Sequence, residues 1–126
     1  MTRHASVSAM GLSVLALLAA FTASLSAHME AVRTLPADAS SVSSAPAQVR
    51  VWFTQQPSPR ISLLRMTGPG GDVELGEVTI DRQDRSIAAA VPGTLAPGRY
   101  EVSWRTAGDD GHVMRDTFAF VLEPAE

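Results

Sequence analysis

Beyond residue 28 the apolar residues of this chain recur with a period of two, which strands satisfy and helices do not. Val49, Val51 and Phe53 alternate with Gln48, Arg50, Trp52 and Thr54, and Tyr100, Val102 and Trp104 alternate with Glu101, Ser103 and Arg105. Further strands are expected over 29–35, 60–67, 72–80, 85–91 and 113–122, which makes about seven short strands in all. Gly68-Pro69-Gly70-Gly71 and Ala96-Pro97-Gly98 supply turns between them, with glycine reaching positive φ and proline fixing a negative one. The Ser-rich stretch 38–44, closed by Ala45-Pro46, reads as a loop. No amphipathic helix, internal repeat or phosphate-cradling glycine loop is found, so the expected fold is all-β: a single Greek-key, immunoglobulin-like β-sandwich.

The first 27 residues do not share this alternation. Arg3 and His4 precede a run from Met10 to Leu25 built almost wholly of Ala, Leu, Val, Ser and Phe. The run is shorter than the roughly 20 apolar residues a spanning helix needs, and Ser and Thr interrupt it, so it reads as a cleaved secretory signal peptide. Residues 28–126 then form the mature domain, expected in the periplasm or an equivalent extracytoplasmic space and not in the membrane. Cutting after Ala27 makes His28 the first residue. Cutting after Ser26 puts Ser24 and Ser26 at the small-residue positions and leaves Ala27 with the free amine. Both remain open from the sequence.

The mature stretch is long enough for one hydrophobic core and too short for two ordinary domains. It contains no cysteine. Disulfides, thiolate metal sites and cysteine nucleophiles are therefore excluded, and packing alone must stabilise the domain. All ten basic residues are arginine; losing Arg3 with the leader moves the formal charge from −3 to −4. A mildly acidic domain without a basic cluster in its sequence is a poor nucleic-acid ligand, because that affinity comes largely from phosphate neutralisation.

Histidine is scarce: the chain has three, and only His28 and His112 survive removal of the leader. His112 lies in the segment Asp109-Asp110-Gly111-His112. If this segment were extended, Asp110 and His112 would point to the same side about 6.5 Å apart, a carboxylate and an imidazole able to flank one ion. A chain beginning at His28 would add an amine and a second imidazole. Three nitrogens and one oxygen suit tetragonal Cu(II) better than Mg²⁺ or Ca²⁺, and no thiolate is present to favour Cu(I). Amine and imidazole must shed protons to bind, so affinity should fall with pH.

His28 after the leader, Leu35-Pro36-Ala37-Asp38, Ala45-Pro46 followed by Val49 to Phe53, Leu95 to Tyr100, Val102 to Arg105, Asp110-Gly111-His112 and Phe118-Ala119-Phe120-Val121 follow one another in a specific order and spacing. In these residues the chain resembles the CopC-type periplasmic copper-binding proteins. That resemblance implies a Greek-key β-sandwich holding one Cu(II) per mature chain through the amine and imidazole of His28, the imidazole of His112 and the carboxylate of Asp110. It also implies a role in copper homeostasis or resistance without turnover, and transfer to a membrane copper importer of the CopD type. The chain departs from the family at Gln55, where some members carry a glutamate near the copper, at Val113 in place of a frequent proline, and at Asp116 in place of a glycine. Met29, Met66 and Met114 are scattered, so a methionine-rich Cu(I) site is not expected and core filling is their ordinary role.

Two other readings compete. A copper oxidase or oxygenase can also use an N-terminal histidine with a second histidine, but Asp110 would fill the position oxygen needs, and no broad aromatic substrate face is apparent. A metal-free structural or adhesion module on the same sandwich is the other, since fold does not dictate function.

Overall fold

The computed structural model describes residues 28–126; the expected leader lies outside the described residues. The described residues form nine strands: β1 (Ala31–Leu35), β2 (Ser40–Val42), β3 (Gln48–Phe53), β4 (Leu63–Gly68), β5 (Gly71–Val73), β6 (Thr79–Asp81), β7 (Ser86–Ala90), β8 (Gly98–Ala107) and β9 (Val113–Leu122). They form a four-stranded sheet ordered β1-β3-β7-β6 and a five-stranded sheet ordered β2-β9-β8-β4-β5. Apart from the β4–β5, β6–β7 and β8–β9 hairpins, every connection passes from one sheet to the other, as an immunoglobulin-like sandwich requires.

Alternation builds the core as expected. Val49, Val51 and Phe53 of β3 face Tyr100, Val102 and Trp104 of β8 and Phe118, Phe120 and Leu122 of β9, all buried. Phe53 and Trp104 meet edge to face across the two sheets, ring centres 5.1 Å apart at 75°. Tyr100 stacks on its cross-strand neighbour Phe120 at 5.4 Å and donates its hydroxyl to the Ala96 carbonyl, so its one polar atom is satisfied at the edge of the core. Trp52, one residue out of phase with the buried set, faces outward. Its indole N–H donates to Asp84 at 3.0 Å, and the Arg33 guanidinium lies 3.8 Å from the centre of its rings.

Two expectations need correction. The Ser-rich stretch is not all loop: Ser40–Val42 runs parallel to Phe120–Leu122 as an edge strand. Two serines and one valine are too short a run to carry a legible alternation. The strand is instead held by Asp38, whose carboxylate accepts from Ala119 N–H at 3.0 Å, and by Ala39 N–H, which donates to the Ala119 carbonyl at 2.7 Å. The single strand expected over 72–80 is two, β5 and β6, in different sheets. Residues 74–78 cross between the sheets, keeping Leu75 and Val78 against the core, which is why the stretch looked continuously strand-like.

Because Phe53 and Trp104 tie the sheets together without a disulfide, Trp104→Ala is expected to lower unfolding free energy by about 3–5 kcal/mol in a urea titration. A loss below about 1 kcal/mol would place the main inter-sheet contact elsewhere.

Candidate metal centre

One end of the sandwich is built from three chain segments: the residues before β1, those after β3, and the loop joining β8 to β9. His28 is exposed, but its neighbour Met29 is buried in the core. Glu30 is clamped twice to Thr54: its N–H donates to Thr54 Oγ1 and its carbonyl accepts from Thr54 N–H, both at 2.9 Å. His28 therefore stands one residue outside an anchored stretch.

The β8–β9 loop closes against the same segments. Gly108 packs so tightly that a Cβ there would lie 2.5 Å from Gln55 Oε1 and 3.2 Å from Met29 Cβ. Gln55 Oε1 also accepts the Asp109 N–H at 3.2 Å. Gln55 thus holds the loop by its backbone, where the family resemblance had raised the question of a carboxylate near the metal. Gly111 N–H donates to the Gly108 carbonyl at 3.1 Å, and Gly111 itself has φ of 75°, a conformation glycine adopts without penalty.

That turn corrects the extended geometry expected for Asp110 and His112. Asp110 Oδ1 accepts the His112 N–H at 3.0 Å, folding the segment back on itself. Asp110 Oδ2 is left facing both imidazoles, 3.1 Å from His112 Nδ1 and 4.0 Å from His28 Nδ1. One donor atom from each of His28, Asp110 and His112 lies within 4.8 Å of the others. The two imidazoles are about four-fifths exposed, at 78% and 77%, so the cluster opens directly to solvent.

The Asp110 carboxyl is held below the usual aspartate range, first by the hydrogen bond from the His112 backbone N–H, then by the charges of His112 and His28, with desolvation opposing. A carboxylate between two imidazoles is a hard and borderline donor set with no sulfur in it, which fits a divalent first-row ion and suits Cu(II).

The remaining expectations find their places. Met29 and Met66 are buried, and Met114 packs partly buried against the core, so all three fill space. Val113 opens β9 opposite Ala107, and Asp116 sits opposite Trp104 with its carboxylate accepting the Thr117 N–H. The supporting roles of Met29, Thr54 and Gly108 were not foreseen; each depends on contacts between segments distant in sequence.

The profile of the CopC domain family matches residues 31–123. The chain belongs to the CopC family. Its members are copper-binding proteins and not enzymes, which sets the oxidase reading aside. Protein YobA of Escherichia coli K12 is 26% identical over 104 residues, covering 81% of this chain and 84% of the relative. The crystal structure of CopC from Methylosinus trichosporium OB3b superposes with a TM-score of 0.70 at 26% identity, covering 79% of this chain and 97% of that one. PcoC, a methionine-rich copper resistance protein from Escherichia coli, shares the fold with a TM-score of 0.68 at 23% identity over 77% of this chain and 100% of its own. The family match takes in Asp110 and His112 but starts after His28, which joins them by geometry alone.

In metal-free protein, a carboxyl ¹³C NMR titration should place Asp110 below the ordinary aspartate value of about 3.9. His112→Ala should keep it depressed, because the principal cause is a backbone N–H that alanine retains. An ordinary value in the wild type would mean that the folded-back turn does not form in solution.

Proposed function

We propose that the mature protein is a periplasmic carrier or store that holds one Cu(II) on His28, Asp110 and His112. The observation that carries this reading is the placement of Asp110 Oδ2 between two imidazole nitrogens on a loop locked by Gln55 and Gly111. Cleavage before His28 would add the terminal amine, giving the three nitrogens and one oxygen that a tetragonal Cu(II) ion favours. Membership of a copper-binding family supports the choice of metal.

The open position of the cluster suits exchange rather than catalysis. An ion held there is reachable by an incoming ligand, so an acceptor can displace the protein's donors stepwise without a lid having to open. A membrane copper importer of the CopD type is the recipient that the family association suggests. Among the described residues no helix is long and apolar enough to cross a membrane.

Protonation sets the release direction. The depressed Asp110 carboxyl contributes its negative charge throughout the neutral range and loses it only as pH falls through its lowered value. The nitrogen donors must be free of protons to bind, so affinity should decline on acidification.

Native mass spectrometry of protein purified from its own compartment, before and after one equivalent of Cu(II), is expected to show a His28 start and one retained ion. His112→Ala should weaken Cu(II) by more than about 100-fold, beyond the range of changes made outside the ligand set. Asp110→Asn, which can still accept the His112 N–H, should weaken it substantially while leaving the fold intact. Equal, weak binding by wild type and His112→Ala would return the chain to the structural-module reading. Gln55→Ala frees the loop without removing a donor and should cost about 10-fold in affinity in a competition titration.

A further inference from the structure

Arg65 of β4, Arg105 of β8 and Arg115 of β9 share the outward face of the five-stranded sheet. Leu64, Met66, Trp104 and Phe118 take the buried parity, which sends Arg65, Ser103, Arg105, Arg115 and Thr117 the other way. Arg65 is in register with Ser103, Arg105 with Arg115, and Ser103 with Thr117.

The Arg105–Arg115 pairing is the closer of the two antiparallel kinds. Ala119 turns both its N–H and its carbonyl toward Asp38 and Ala39, away from β8, and by alternation Arg115 does the same. Like charges placed opposite each other on a sheet repel. Yet among the described residues none of the three guanidinium groups has a carboxylate within ion-pair distance. Arg105 has one long contact, from Nε to the Ile61 carbonyl at 3.4 Å. The three line a groove of about 440 Å³ with the hydroxyls of Ser103 and Thr117. Asp116 is the one acid at its rim; it is of the opposite parity and accepts from the Thr117 N–H at 2.8 Å.

We propose that this groove binds a phosphate-type oxyanion, with the guanidinium forks of Arg65, Arg105 and Arg115 as donors. An oxyanion would relieve the repulsion built into the Arg105–Arg115 pair and supply the negative charge that the protein withholds there. The ligand chemistry is the same for free phosphate and for a phospholipid headgroup. The site shares no residue with the copper centre.

The test exchanges chloride for inorganic phosphate at constant ionic strength, using ¹⁵N-labelled protein processed in its own compartment. Saturable shifts at the Arg105 and Arg115 side-chain Nε and the Ser103 and Thr117 amides are expected, together with a rise in Tm. Arg105→Gln/Arg115→Gln should weaken phosphate by about tenfold or more, abolish the rise in Tm and leave Cu(II) affinity unchanged. Should the double variant fold poorly, each single variant carries the same comparison. Co-sedimentation with vesicles of phosphatidylglycerol in phosphatidylcholine, competed by free phosphate and lost in the variants, would identify the headgroup as the source; phosphate binding without co-sedimentation would identify the free anion. Shifts no larger than those with chloride, or shifts that persist in the variants, would overturn the proposal.

Discussion

The end of the sandwich that carries His28 depends on one buried side chain. Met29 enters the core immediately after His28, and its Cβ limits how closely the Gly108 backbone can approach. This contact joins the start of the described domain to the loop between β8 and β9, segments about eighty residues apart in the chain. The clamp between Glu30 and Thr54 and the hydrogen bond from Asp109 to Gln55 then remove the remaining freedom on either side. The donors themselves are exposed, but the backbone beneath them is fixed by buried or paired groups. That division allows a site to be accessible and preorganised together.

Asp110 shows how one residue serves both purposes. Its Oδ1 shapes the loop by accepting the His112 N–H, and its Oδ2 supplies charge toward the two imidazoles. Since the same backbone hydrogen bond is the principal cause of the lowered carboxyl pKa, the turn that aims the oxygen also keeps it ionised. Stability gained from this depressed group is present above the unfolded aspartate value and is lost as pH falls through the folded one. The folded-back loop is therefore weakened only when pH falls far enough to protonate a carboxyl held below the ordinary aspartate range.

The sandwich was legible because alternation at Val49–Phe53 and Tyr100–Trp104 states which side of each strand is buried. The candidate site was legible because residues 28–126 hold only two histidines. What was hidden has a common physical cause: it is decided by contacts across the fold. Ser40–Val42 is a strand because Asp38 and Ala39 pair with Ala119. Residues 72–80 break in two because the chain must cross from one sheet to the other. Asp110 and His112 converge through a left-handed glycine rather than through strand geometry, Asp-Gly being a common turn sequence. Trp52 followed its parity outward, where Asp84 and Arg33 engage its indole.

The absence of cysteine links the way this domain is stabilised to the ion it is proposed to carry. Many small domains gain stability from disulfides, whereas here the edge-to-face contact of Phe53 with Trp104 and the stacking of Tyr100 on Phe120 span and reinforce the sheets instead. A free thiol near Cu(II) would compete as a softer ligand and would itself be open to oxidation. With aromatic packing doing the structural task, the chain offers the ion only nitrogen and oxygen donors, and the three methionines of residues 28–126 are withdrawn into or against the core. The cluster of His28, Asp110 and His112 thus presents nitrogen and oxygen donors, the set that the proposed Cu(II) ion favours.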